Sequence, residues 1–205
     1  MANNTGLYIL SAIALLLFVG GGIYFWRQTK KNKHQRHIVN VLESLGVKYL
    51  KDVVLPDGLD GLAFIDYLLL VPNGVVVLDV NHIEGHLFGG ERVDQWSQVV
   101  NNKTYKFENP LYGNQKKCQA VSWNVEQILG DSGDDPGDWH THGWITFSNA
   151  GNFPKGIPSQ VSMIDDLKTN LEQVVDLGQP VTEQTRTVWD ALHNLSISTR
   201  AGLSS

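Results

Sequence analysis

The chain has 205 residues, 42% hydrophobic, 18% charged and 9% aromatic, a composition that excludes collagen-like, coiled-coil and wholly disordered classes. Its net charge of −5 joins two unlike parts: residues 1–36 hold five cations and no acid, leaving 11 of the 16 cations and all 21 acids in residues 37–205, a net of −10. The acidic part is large enough for one domain with its own core, and the single cysteine, Cys118, excludes an intrachain disulfide or a thiol-rich metal site.

Residues 1–5 are a short uncharged end, and Gly6 to Trp26 read GLYILSAIALLLFVGGGIYFW, 21 residues without a charge. At about 1.5 Å per helical residue this run spans the roughly 30 Å hydrocarbon core of a bilayer. A signal peptide would carry its cations before the apolar run, whereas here they follow it, in the basic segment 27–36. The positive-inside tendency therefore predicts a single-pass transmembrane helix over 6–26 in an inner or plasma membrane, with the C-terminal domain cytoplasmic. Arg27, Lys30, Lys31, Lys33 and Arg36 are expected against anionic lipid headgroups, each contributing ~1 kcal/mol near the surface.

The domain is expected over 37–178. Ile38, Val39, Leu42 and Leu45 recur at helical spacing before Gly46, which predicts a helix over 37–45. Val47 to Leu55, Ala63 to Val71 and Gly74 to Val80 then read as three strands joined by turns, followed by weaker strands over 86–88, 94–99 and 103–107. Asn109 and Pro110 open a helix whose apolar face is Cys118, Val121, Val125 and Ile128. Gly130 to Asp138 is expected as a loop, Trp144 to Phe147 as a strand, and a helix is expected from Ser159 or Ser162 towards Leu177. Residues 179–205 should hold a last helix, Thr182 to Leu195 with Thr182 as its cap, and a loose tail. These elements make a mixed sheet with helices packed on it, an α/β fold.

The informative stretch is FIDYLLLVPNGVVVLDVN, Phe64 to Asn81, because Asp66 and Asp79 lie inside strands where acids are depleted. If Val71 to Gly74 form the tight turn, paired residue numbers sum to 145 and Asp66 lies opposite Asp79. If Asn73 and Gly74 are the loop, the sum is 147 and Asp66 faces Asn81. Either register puts Asp66, Asp79 and Asn81 on one face. Opposed carboxylates destabilise a sheet unless one is protonated or a cation lies between them. Mg²⁺ or Mn²⁺ would serve, being held by one or two carboxylates while keeping waters and phosphate oxygens, which suits phosphodiester hydrolysis.

Phe64-Ile65-Asp66, Pro72-Asn73-Gly74, Asp79-Val80-Asn81, Gly85 and Asn109-Pro110 stand in an order that resembles the nuclease-related domain (NERD), a branch of the PD-(D/E)xK endonuclease superfamily. Leu55-Pro56 and the stretch from Trp144 to Phe153 also resemble it, so that residues 37–170 are covered. The resemblance implies a restriction-endonuclease-like mixed sheet flanked by helices, with Asp66 and Asp79 as metal ligands and position 81 in the catalytic triplet. That third position is Asn81 where the family has Lys. The family's Gly-Glu pair falls near Gln35 and Arg36, and its glutamine after Asn-Pro falls near Gly113, with Gln115 displaced. Lys116 or Lys117 on the next helix could supply a migrated lysine.

Three readings remain: a metal-dependent nuclease acting on DNA or RNA at the membrane, a catalytically inactive nuclease-fold binding or scaffold module, and a membrane assembly factor with no metal. The acidic domain weakens non-specific affinity for nucleic acid. Asp131, Asp134, Asp135 and Asp138 with His140 and His142 match neither an EF-hand nor a zinc site and read as a solvated loop. His82 and Glu84 read as exposed edge residues.

Overall fold

The computed structural model describes residues 35–133, 139–174 and 179–203. The chain divides into two compact units, Met1–Asn40 and Val41–Ser205. The run 6–26 and the cations up to Lys33 lie outside the described residues, and no described helix is long and apolar enough to cross a membrane.

Helix α1 covers the described residues 35–44 and stops before Gly46, whose φ of 67° suits a residue without a Cβ. A meander follows, with β1 Tyr49–Pro56, β2 Leu62–Val71 and β3 Gly74–Asn81, all antiparallel. Strand β7 (His140–Phe147) then lies parallel to β3, and β9 (Val161–Met163) lies parallel to β7, giving the order β1-β2-β3-β7-β9. Gly74 sits where β7 begins, and a Cβ there would run into the His140 backbone carbonyl.

A second sheet, with order β6-β5-β4-β8, is built from β4 Gly85–Phe88, β5 Gln95–Val100, β6 Lys103–Glu108 and β8 Gly151–Asn152. Asn101 and Asn102, both at positive φ, form the two-residue loop between β5 and β6. β4, β5 and β6 pair as consecutive antiparallel neighbours, and β8, far along the chain, adds a short parallel edge at Gly85 and His86.

Helix α2 (Pro110–Ser132) begins where Asn109 accepts the Leu111 N–H and ends at Gly133 in the left-handed region. It presents Val121, Val125 and Leu129 to Leu55, Ile65, Leu68, Val75 and Val77 of the meander. Helix α4 (Glu183–Leu203) adds Val188, Trp189 and Leu192 to the same core. The fold is thus mixed α/β with sheets flanked by helices.

Three local expectations are corrected. The helix runs on through Gly130 to Ser132, and His140 and His142 belong to β7, because the parallel ladder with Gly74 to Val76 continues that far back. The helix expected from Ser159 or Ser162 is instead β9, a 3-10 turn Ile164–Asp166 and a short helix α3, Leu167–Val174; Ser162 is drawn into the ladder opposite Thr146. The expected tail is helical to Leu203, since Ser196 is buried and its hydroxyl accepts the Val54 N–H.

Candidate functional site

The hairpin has the register in which paired numbers sum to 145, with Val71 opposite Gly74 and Tyr67 opposite Leu78. The ladder ends there, one position short of Asp66 and Asp79. Beyond it the Asp66 carboxylate accepts the Val80 N–H at 2.7 Å, while Val80 itself pairs with Thr146 of β7. Ile65, Leu68 and Leu70 all enter one core, so alternation along β2 shifts by a residue at Asp66. On β1 the shift is matched by Asp52, at φ 53°, between the paired residues Lys51 and Val53. The hairpin is therefore irregular where its two acids lie.

Asp79 shares the face of Val75 and Val77 and points towards α2, only 7% exposed. Its Oδ1 accepts from the Lys117 ammonium at 2.7 Å and its Oδ2 from the Asn114 carboxamide at 3.2 Å. Asn114, buried, also donates to the Val77 carbonyl at 3.1 Å, which ties α2 to β3. A Cβ on Gly143, which pairs with Val77 across the β3–β7 ladder, would strike the Asn114 carboxamide oxygen; the glycine makes the slot that holds Asn114.

Burial pushes the Asp79 carboxyl above its usual range; the ion pair and hydrogen bond from Lys117 and the Asn114 bond oppose this, and the negative charge of Asp66 adds to it. The charge of Asp66 is thus felt at Asp79, whose ammonium partner is Lys117. Cys118, one residue on, has its thiol pushed up to about 12, first by burial and then by Asp79. It is a packed, inert sulfur.

Both Asp79 oxygens are taken by Lys117 and Asn114, and Asp66 Oδ2 accepts the Val80 N–H. No group of three or more His, Cys, Asp or Glu side chains that could hold a metal ion occurs among the described residues. Asn81 is the last residue of β3, half-buried, with its carbonyl accepting from Ser148 N–H.

The other sequence candidates separate from this site. Gln115 and Lys116 line a cavity of about 500 Å³ with Asp94, Glu108, Tyr112 and Gln119. His140 and His142 stack at 5.8 Å on β7, and Asp134, Asp135 and Asp138 lie outside the described residues. His82 and Glu84 are exposed, as expected. Sequence reasoning missed Asn114 and Gly143. The signal for Asn114 was a carboxamide one position beyond the expected glutamine and three before Lys117, on the same helical face. Gly143 carried no local signal.

A helix-flanked mixed sheet that brings two strand acids and a helix lysine together is the architecture of a nuclease-like domain. The nuclease-related domain family matches residues 30–162, and the chain belongs to that family. An uncharacterized protein of Bacillus anthracis is 26% identical over 104 residues, 51% of this chain and 49% of that relative. The chain therefore spans about half the length of the curated relative it matches. No solved structure matches the chain.

Proposed function

We propose that this nuclease-related domain protein is a membrane-anchored, divalent-metal-dependent phosphodiesterase that cuts nucleic acid at Asp66 and Asp79. The observation that carries this reading is the buried Asp79 carboxylate, held by Lys117 and Asn114 within the field of Asp66. Asp66 and Asp79 would hold Mg²⁺ or Mn²⁺, which when bound polarises a phosphoryl oxygen and lowers the pKa of water. The chain's own part is positional: Val80 N–H fixes Asp66, Asn114 and Lys117 fix Asp79, and Asn81 edges the site as a neutral donor and acceptor.

The apolar run 6–26 supplies the anchor, and Arg27, Lys30, Lys31, Lys33 and Arg36 contact anionic headgroups on the cytoplasmic side. Alkaline extraction of membranes tests this: the full chain should stay in the pellet, and a variant lacking 1–36 should be released.

A second reading, a degenerate nuclease fold acting as a binding or scaffold module, is favoured by Asn81 and by the net charge of −10 over residues 37–205. The deciding experiment incubates the full-length protein in mild detergent with supercoiled DNA, single-stranded DNA and RNA, with Mg²⁺ or Mn²⁺. Cleavage reduced at least about 100-fold by Asp66→Ala and by Asp79→Ala is expected. Cleavage that survives both substitutions overturns the enzyme reading, and the absence of both cleavage and metal binding establishes the scaffold.

A further inference from the structure

We propose that the groove between α4 and β1 binds a single-chain anionic lipid, with the acyl chain on its apolar floor and the head against its cationic rim. The groove shares no residue with Asp66 and Asp79 and their partners, so its ligand does not depend on the hydrolytic reading.

The groove follows from how the two elements pack. Strand β1 stands at the end of the sheet order, and α4 covers that edge: the buried Ser196 hydroxyl accepts the Val54 N–H at 3.1 Å. Ser196 and Ala201 are small, and the helix leaves a cavity of about 480 Å³ against the strand, the size of a small-molecule site. Leu50 and Val53 both line it although they are three residues apart, because Asp52, at φ 53°, shifts the alternation of β1 between them. From α4 come His193, Ile197 and Arg200, spaced four and three residues apart and hence on one helical face.

The lining has two characters. Leu50, Val53, Ile197 and Ala201 are apolar, and Ile197 is 57% exposed, a large hydrophobic side chain that the fold leaves uncovered. Lys51 and Arg200 carry positive charge, His193 adds ring nitrogens, and no carboxylate is among the described lining residues. That bias is local. Residues 37–205 hold 21 acids against 11 cations, yet the last acid of the chain is Asp190 and residues 191–205 hold none. The cavity beside α2, by contrast, sets Asp94 and Glu108 next to Lys116. Asp52 competes for Lys51, its carboxylate 3.6 Å from the ammonium, but both side chains are exposed, so water screens the pair and an incoming anion displaces it.

These two characters select the ligand. A purely apolar partner would leave Lys51 and Arg200 desolvated without a counter-charge, and a small inorganic anion would leave Ile197 and the apolar floor in water. A chain with an anionic head satisfies both: the Arg200 fork and the Lys51 ammonium take a carboxylate or phosphate, and the chain covers Ile197. A fatty acid and a lysophospholipid share this chemistry.

The test uses the full-length protein with phosphatidylcholine nanodiscs and a palmitate carrying a photoreactive diazirine, followed by mass mapping of the labelled peptides. Label is expected on α4 around His193 to Arg200 and on β1. Excess palmitate or lysophosphatidate should displace it, the stronger of the two naming the head, whereas inorganic phosphate and hexadecyltrimethylammonium, which has the same chain and a cationic head, should not. Lys51→Gln with Arg200→Gln should lower labelling about tenfold, and Ile197→Ser about fivefold. All three positions are exposed, so the melting temperature should stay that of the wild type. Label absent from both elements overturns the proposal, as does equal displacement by the cationic amphiphile. Label that grows with phosphatidylglycerol in the disc and is not displaced by palmitate also overturns it and makes this face a bilayer-docking surface.

Discussion

The two ends of one hairpin follow opposite rules. At the turn end, Val75, Val76, Val77 and Leu78 are fully buried, the ladder runs unbroken from Tyr67 and Leu78 to Val71 and Gly74, and the neighbours are aliphatic. At the open end the same two strands part after Tyr67 and Leu78, a carboxylate accepts the Val80 N–H, and Asp79 is buried among polar partners. Apolar burial needs no specific partner, so the turn end is stabilised by area alone. A buried carboxylate needs each oxygen satisfied, so the open end requires a helix, a neighbouring strand and a glycine gap to be built around it. Apolar burial is concentrated at one end and polar pairing at the other.

Substitutions sharpen that contrast in descending order of effect. Leu68→Ala, at a fully buried position of the apolar half, should cost about 2–5 kcal/mol in urea unfolding. Gly143→Ala should cost about 1–3 kcal/mol by forcing Asn114 out of its slot. It should also remove the response to metal, even though it carries no donor. If Gly143→Ala leaves both unchanged, the slot is not what positions Asp79.

Asp79→Asn removes a buried charge but sets an amide N–H against the Lys117 or Asn114 donor, so its net effect on the melting temperature near neutral pH should be small. The pH dependence gives the sign. Burial raises the native Asp79 carboxyl above its ordinary 3.8, so the native state holds this proton more tightly than the unfolded chain. The stability linked to Asp79 is then fully present below about 3.8 and declines as pH rises through the raised native value. The melting temperature of Asp79→Asn relative to the wild type should therefore rise with pH across that window, and a constant difference between the melting curves would contradict it. The smallest effect is a null one: with its thiol pushed up to about 12, Cys118 should resist iodoacetamide at pH 8 in the folded protein and react in urea.

The sequence disclosed much of this fold because its signals are local. Apolar runs bounded by Pro-Asn-Gly announce β2 and β3, and Asn109-Pro110 announces α2. The tight turn at Val71 to Gly74 was one of two open registers, and the observed pairing with sum 145 selects it. What stayed hidden depends on distant partners. Ser162 reads as a helix cap until β7 is beside it, and Ser196 reads as tail until Val54 N–H needs an acceptor. In the site, strict alternation along β2 could not foresee the shift at Asp66, nor could spacing choose Lys117 over Lys116 without the helix's rotation against β3.

The central claim is that Asp66 and Asp79 together bind a divalent ion, and thermal unfolding of the full-length protein with and without Mn²⁺ tests it most directly. At about 100 times Kd, binding to the native state alone adds ~2.7 kcal/mol, a rise of roughly 5–10 °C for a chain of this size. That rise is predicted for the wild type and should vanish in both Asp66→Ala and Asp79→Asn. A rise that persists in either variant, or its absence from the wild type, would contradict the account.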